Sequence, residues 1–330
     1  NPYEFEAEPL IMAAPTDSSI DMRYQKRDEL TKEKVIEAEL ALMSGYRQDE
    51  LSWNIAGNIA GEDPNILVQY DWTGLHIYQI KGKGRVIFNE AFVIDGEAAR
   101  GEALAGDVRV SEYDADNKRS EATRVTADAE GSSTMDFSLG FGYQFKLNKL
   151  SKIDDAVEFD EETNLTLLAG YSYHEQDLNI REGVQVLDTG SPPSLGPFPG
   201  LDSPYKTEWQ GPWIGVEVNG EREKIDGRIR FEYHFPEYYA EGRSNLQPAF
   251  QQPKSFEHEA DGTGMVLAAN FDYNINEDWK IDLAADAQMW NATEGVDRLF
   301  LLNGQQPETR LNDVDWESFS VMLGATYKFE

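Results

Sequence analysis

The 330-residue sequence contains no cysteine. Disulfides, thiolate nucleophiles and cysteine-ligated zinc are therefore excluded. It also lacks any run of about 20 apolar residues, the length a helix needs to cross a bilayer. That absence does not weigh against membrane strands, which alternate and leave little hydropathy signal. Cations are scarce: 29 Lys and Arg face 61 Asp and Glu, a formal charge of −32. A nucleic-acid partner is not expected, because phosphate contacts need Lys and Arg in excess. A chain this acidic is halophilic, partly disordered, or a bearer of acidic surface loops. Its 15 Tyr, 16 Phe and 7 Trp speak against disorder. The opening Asn1-Pro2-Tyr3 carries no signal peptide and reads as a processed mature end.

What is present is a period of two. In the last stretch, Phe319, Val321, Leu323, Ala325, Tyr327 and Phe329 alternate with Ser320, Met322, Gly324, Thr326 and Lys328. One face is apolar and closes on an aromatic pair, the pattern of a membrane strand. The same alternation predicts strands near 34–46, 65–72, 75–94, 135–145, 164–178, 205–218, 227–239, 263–273 and 279–290. Asp71-Trp72-Thr73-Gly74 reads as a turn between the second and third of these. The acidic stretch 95–133 carries no strand signal. Long links follow the odd strands and mostly short ones the even strands, as in barrels with long outer loops and short inner turns. The link after strand four is the exception.

The expected fold is all-β: a ten-stranded antiparallel transmembrane β-barrel over 34–330, preceded by an N-terminal arm at 1–33. Its apolar face must meet lipid, since open sheet edges cannot stand in hydrocarbon. The opposite face carries Glu37, Glu39, Glu217, Arg228, Arg230, Glu232, His234, Asp282, Asp286 and Glu317. Arg228, Arg230, Glu232 and His234 are the expected lumen residues, and side chains fill so narrow a barrel.

Several stretches, taken in order, resemble the omptin family of outer-membrane barrels. They are LSWNIAGN…PNILVQYDW (51–72), LTLLAGYSYHEQDLNIREG (165–183), FPG…YKTEWQGPWIGVEVNGE (198–221) and WESFSVMLGATYKF (316–329). Omptins are surface proteases that cleave near basic residues. The resemblance implies an aspartate pair on the second outer loop and an Asp–His couple on the fourth. Asp114 and Asp116 stand where the pair belongs. Glu241 and Arg243 stand where the couple belongs, and arginine cannot act as a base. The resemblance thus covers the scaffold and departs at the catalytic histidine.

Each remaining candidate has a plainer reading. His234 belongs to a polar lumen network more readily than to a proton relay. His174 reads as a rim residue. His258, within FEHEAD, reads as part of a solvated acidic rim more readily than as a metal ligand, and with Glu241 and Arg243 makes a candidate binding group. The acidic run around Asp114 and Asp116 reads as a solvated loop, with a weak divalent-cation site as the sharper reading. No cofactor is expected. Trp72, Trp209, Trp213, Tyr238, Tyr239, Trp279, Trp290 and Trp316 stand near strand ends and read as membrane-interface girdles. Expected partners are outer-membrane lipid, lipopolysaccharide and a surface ligand or protein. The leading functional expectation is an omptin-like barrel without the protease couple, serving a structural, binding or adhesion role at the bacterial surface. An active omptin-type endopeptidase with a displaced site and a narrow porin-like channel are the alternatives.

Overall fold

The computed structural model describes residues 36–147, 163–188, 194–222 and 224–329. The expected arm at 1–33 and most of the link after the fourth expected strand lie outside these residues. The strands are β1 (Ile36–Ile55), β2 (Val68–Phe88), β3 (Phe92–Ala115), β4 (Ser120–Asp128), β5 (Ser133–Lys146), β6 (Thr163–Leu178) and β7 (Arg181–Asp188). They continue as β8 (Gly196–Pro197), β9 (Tyr205–Arg222), β10 (Ile225–His234), β11 (Glu237–Gly242), β12 (Phe256–Asn274), β13 (Trp279–Leu299) and β14 (Glu308–Phe329).

Ten positions close a ring: β1, β2, β3, β5, β6, β9, β10 continued by β11, β12, β13 and β14. The closing seam pairs β1 with β14, from Ala38 opposite Phe329 to Ile55 opposite Leu311. Above the membrane, β4 pairs with β3 and β7 pairs with β4. The all-β antiparallel barrel is as expected.

Strand boundaries differ from the pattern reading: β1, β12, β13 and β14 run well past the strands expected at 34–46, 263–273, 279–290 and 316–329, into stretches expected to be loop, and the region of β2 and β3 differs in connection as well. β2 runs straight through Asp71–Gly74, where the register only shifts, between Thr73 and His76. The true hairpin turn is at Asn89–Glu90. Both residues have positive φ (50° and 56°), and the Ala91 amide donates to the Phe88 carbonyl at 3.1 Å. Positive φ at both residues suits the strand twist, and three residues separate the paired Phe88 and Phe92. β3 then occupies much of the stretch expected to be loop.

The reason lies in two tiers. In the membrane tier the outward rows are bulky and exposed, such as Leu40, Leu42, Phe141, Leu267 and Leu323, while Lys81, Arg85, Glu217 and Asp282 are buried inside. Above it the sides exchange roles. Leu51, Trp72, Leu75, Val314 and Trp316 are buried inside, and Glu50, Asp107, Glu259, Asp315 and Glu317 face solvent. Glu317 therefore points outward, not into the lumen. A lipid-facing pattern cannot register the upper tier, whose outer face is polar. Register shifts at Asp49/Leu51, Thr73/His76 and Glu259/Asp261 fall near the boundary.

Candidate functional site

The interior is built in layers, starting from the end of the barrel where Ala38 pairs with Phe329. Nearest that end, Lys280 contacts Glu39 and Asp226, each at 2.9 Å. These side chains meet because β1, β10 and β13 each place an inward residue at that height. A cavity of about 320 Å³ opens here, lined by Glu39, Arg85, Asp226, Arg228 and Lys280 among others. The next layer is an ion network. Arg85 and Arg230 both hold Glu217, at 2.7 and 2.6 Å, and Arg230 also holds Asp95 at 2.7 Å. Lys81 reaches Asp286 at 3.2 Å. Buried charge is tolerated only when paired in this way.

The middle layer is more tightly knit. The Arg47 guanidinium donates twice to Asp49, at 2.7 and 2.6 Å, and once to Asp136 at 2.7 Å. Asp136 also accepts from Gln79 at 3.0 Å and from His174 Nδ1 at 2.9 Å. Asp49 accepts from Gln176 Nε2 at 3.1 Å and from the Trp316 indole at 3.2 Å. Alongside, Ser172 Oγ and His234 Nδ1 are 3.0 Å apart, and His234 Nε2 is 3.0 Å from Glu232. Ser, His and Glu are the residue types of a nucleophilic triad, but Ser172 and His234 are each only 2% exposed. A substrate carbonyl has no approach to them.

Over this layer the mouth is filled with rings. Trp290 stacks on Trp316 at 5.3 Å, and Trp209 packs on Tyr238 at 4.4 Å. Trp72 stacks on Tyr205 at 5.3 Å, and Trp53 on Tyr70 at 4.2 Å. Leu51, Leu75, Phe256, Leu311 and Val314 complete a single apolar cluster. One polar chain threads it. Tyr205 and Tyr238 hydroxyls lie 2.5 Å apart, Tyr205 bonds His258 Nδ1 at 2.8 Å, and His258 Nε2 meets Asp297 at 3.1 Å. Thr309 donates to the other Asp297 oxygen at 2.9 Å. His258 and Asp297 are 0% and 1% exposed, so this couple reaches no bulk water.

The sequence candidates therefore scatter. Asp114 and Asp116 are exposed at the β3 tip. Asp116 accepts the Asn65 amide at 2.8 Å, tying the β1–β2 and β3–β4 links together, and no histidine contacts either residue. Glu241 accepts from Lys254 at 2.9 Å and from Tyr239 at 2.5 Å, and those bonds hold its carboxyl below the ordinary range. Burial pushes the Glu257 carboxyl up, but bonds from Lys254 and Arg298 outweigh it and lower it overall. Arg243 clamps Asp202, donating to its carbonyl at 2.7 Å and to its carboxylate. Arg228, Arg230, Glu232 and His234 do line the lumen. His258 is not a solvated rim residue; it is a buried member of the plug. His174 is likewise interior, because even positions of β6 point inward. Among the described residues, no three His, Cys, Asp or Glu side chains converge as a metal site.

The tryptophans overturn the girdle reading. Of the eight aromatics named for it, Trp72, Trp209, Trp213, Tyr238, Trp290 and Trp316 are buried inside, and only Trp279 is an exposed outward ring. Parity was the available signal. On β14 the lipid row is odd-numbered, so Trp316 shares a face with Ser318 and Ser320. Asp297 offered no such signal.

Residues 41–329 match the family model described as Protochlamydia outer membrane protein. The chain belongs to the Protochlamydia outer membrane protein family. This family member is an omptin-like barrel in fold and a protein of the bacterial outer membrane. The outer membrane protease OmpT of Escherichia coli is similar at TM-score 0.68 and 16% identity, over 89% of this chain and 96% of that one. The translocator domain of the autotransporter NalP of Neisseria meningitidis matches at 0.35 and 11% identity, over 94% and 96%. Ail, the attachment invasion locus protein of Yersinia pestis, matches at 0.26 and 12%, over 88% and 99%. Curated proteins give no match.

Proposed function

We propose that this family member is a closed, non-proteolytic barrel that presents its acidic upper tier outside the cell as a binding or structural surface. One observation carries the reading: the space at the barrel mouth is an aromatic plug. A protease of omptin type needs a water held between an acid pair and a histidine, open to a peptide. Here Asp114 and Asp116 stand in solvent, while each histidine with a carboxylate partner (His174, His234 and His258) is buried beneath or within the plug. A conducting pore needs a continuous wet path, and the cavity lined by Glu39, Asp226 and Lys280 ends below the Arg47 layer.

The test is one refolded preparation assayed twice. Cleavage of a fluorogenic dibasic peptide at the rate of the peptide alone, and no single-channel steps in planar bilayers, are the expected results. Cleavage lost on Asp114→Asn would restore the protease reading. Steady conductance would restore the channel.

A further inference from the structure

Most of the lipid-facing wall is bulky, but the middle of the β2–β3 pair is not. Gly82 lies opposite Ala98, and Gly84 opposite Gly96. A Cβ built on Gly82 or Gly84 would meet nothing closer than 4.0 Å, so bare backbone faces the lipid there. On one flank Leu42 and Leu40 stand beside Gly82 and Gly84. On the other, Phe137 and Leu139 stand beside Ala98 and Gly96. All four flanking side chains project outward and are exposed. The result is an apolar trough, floored by small residues and walled on both sides. Arg100, the next outward residue of β3, closes its upper end between Ile80 and Met135. It is exposed and has no ion-pair partner among the described residues. Glu102 follows it, opposite Tyr78, and Tyr78 lies beside Tyr46 at the upper edge of the apolar band. This cation therefore sits at a lipid–water boundary, directly above a trough two strands wide.

We propose that the trough docks an acyl chain of a phosphate-bearing membrane lipid, with the Arg100 guanidinium on the phosphate. The planar fork of arginine matches phosphate oxygens, and the bond strengthens at an interface poor in water. The chain fills a gap that the wall otherwise leaves bare, restoring dispersion contacts on both flanks. A second copy of the barrel is the competing occupant, but it would have to bring its own anion to Arg100 past Glu102. The inference rests on the membrane tier and does not depend on the absence of protease or channel activity.

Native mass spectrometry of the refolded barrel in neutral detergent tests it. The probes are dimyristoyl phosphatidic acid and dimyristoylglycerol, which share chains and differ by the phosphate. The acid should be retained about tenfold better, the effect of one charge-assisted contact. Arg100→Ala should abolish that preference, and Gly84→Leu should reduce retention of both lipids, each with the heat-shifted gel mobility unchanged. Glu102→Gln should leave the preference in place. Equal retention of the two lipids, or retention indifferent to both substitutions, overturns the proposal. A lipid-free double-mass species lost on Gly84→Leu also overturns it, by assigning the face to a second copy.

Discussion

The membrane tier and the upper tier share continuous strands, with register shifts near their boundary, yet their solvents are exchanged. Below, hydrocarbon lies outside and ions lie within. Above, water lies outside and tryptophan lies within. Both obey one rule: a side chain faces the medium it prefers. The difference lies in what cohesion is made of. The upper tier is held by apolar area removed from water, which is forgiving of shape. The lower tier is held by paired charge, which is unforgiving of any missing partner.

The comparison can be broken most sharply in the lower tier. Arg47→Leu leaves Asp49 and Asp136 without the guanidinium that bridges them. The loss should be about 3–5 kcal/mol, the penalty for an orphaned buried charge, read from urea unfolding in vesicles. The paired replacement Lys81→Met with Asp286→Leu removes both charges instead. It should fall within about 1 kcal/mol of the parent, or above it, because the ion pair roughly balances its own desolvation. A large loss there would show that the lower tier depends on charge itself. In the upper tier, Trp316→Ala should cost about 3–5 kcal/mol through the cavity it leaves, and it also removes the indole bond to Asp49. Tyr205→Phe is gentler and isolates the polar chain, with an expected loss of about 1–3 kcal/mol because His258 Nδ1 and the Tyr238 hydroxyl each lose a partner. Smallest is Asp114→Asn, exposed and without a side-chain bond among the described residues, which should stay within about 0.5 kcal/mol.

Acid should separate the rim in the same spirit. Glu257 is held below its ordinary value of 4.5. A depressed carboxyl contributes stability that is fully present above about pH 4.5 and is lost as pH falls through the lower folded value. Asp313 runs the other way, raised above 3.8 by burial and by the neighbouring Asp315 charge. It opposes folding at neutral pH and ceases to do so as it protonates. Glu257→Gln should flatten the acid limb of the stability curve, and Asp313→Asn should raise the neutral plateau. Thermal melts from pH 3 to 7 distinguish the two.

Legibility followed the tiers. The lipid row from Phe319 to Phe329 is readable because hydrocarbon accepts only one kind of residue. The lumen group of Arg228, Arg230, Glu232 and His234 followed from parity alone. Parity also held the answer for Trp290 and Trp316, but a tryptophan near a strand end invites the girdle reading. β3 from Asp95 onward and all of β4 escape the pattern because their outward residues are small or polar, so alternation carries little contrast. The Asp71–Gly74 turn failed because a bulge and a turn use the same residues. The pairing of His258 with Asp297 spans 39 positions, and no local pattern encodes it.

The seam between β1 and β14 sets the order of assembly. The bond from Trp316 to Asp49 joins residues 267 positions apart, and the whole β1–β14 ladder is comparably long-range. Loop-closure entropy must be met before such contacts form, which makes topologies of this kind slow to fold. The first strand therefore waits, its edge unpaired, until the last has been delivered. For that interval the chain is an open sheet with a sticky margin at each end, and its survival is a matter of timing rather than of final stability.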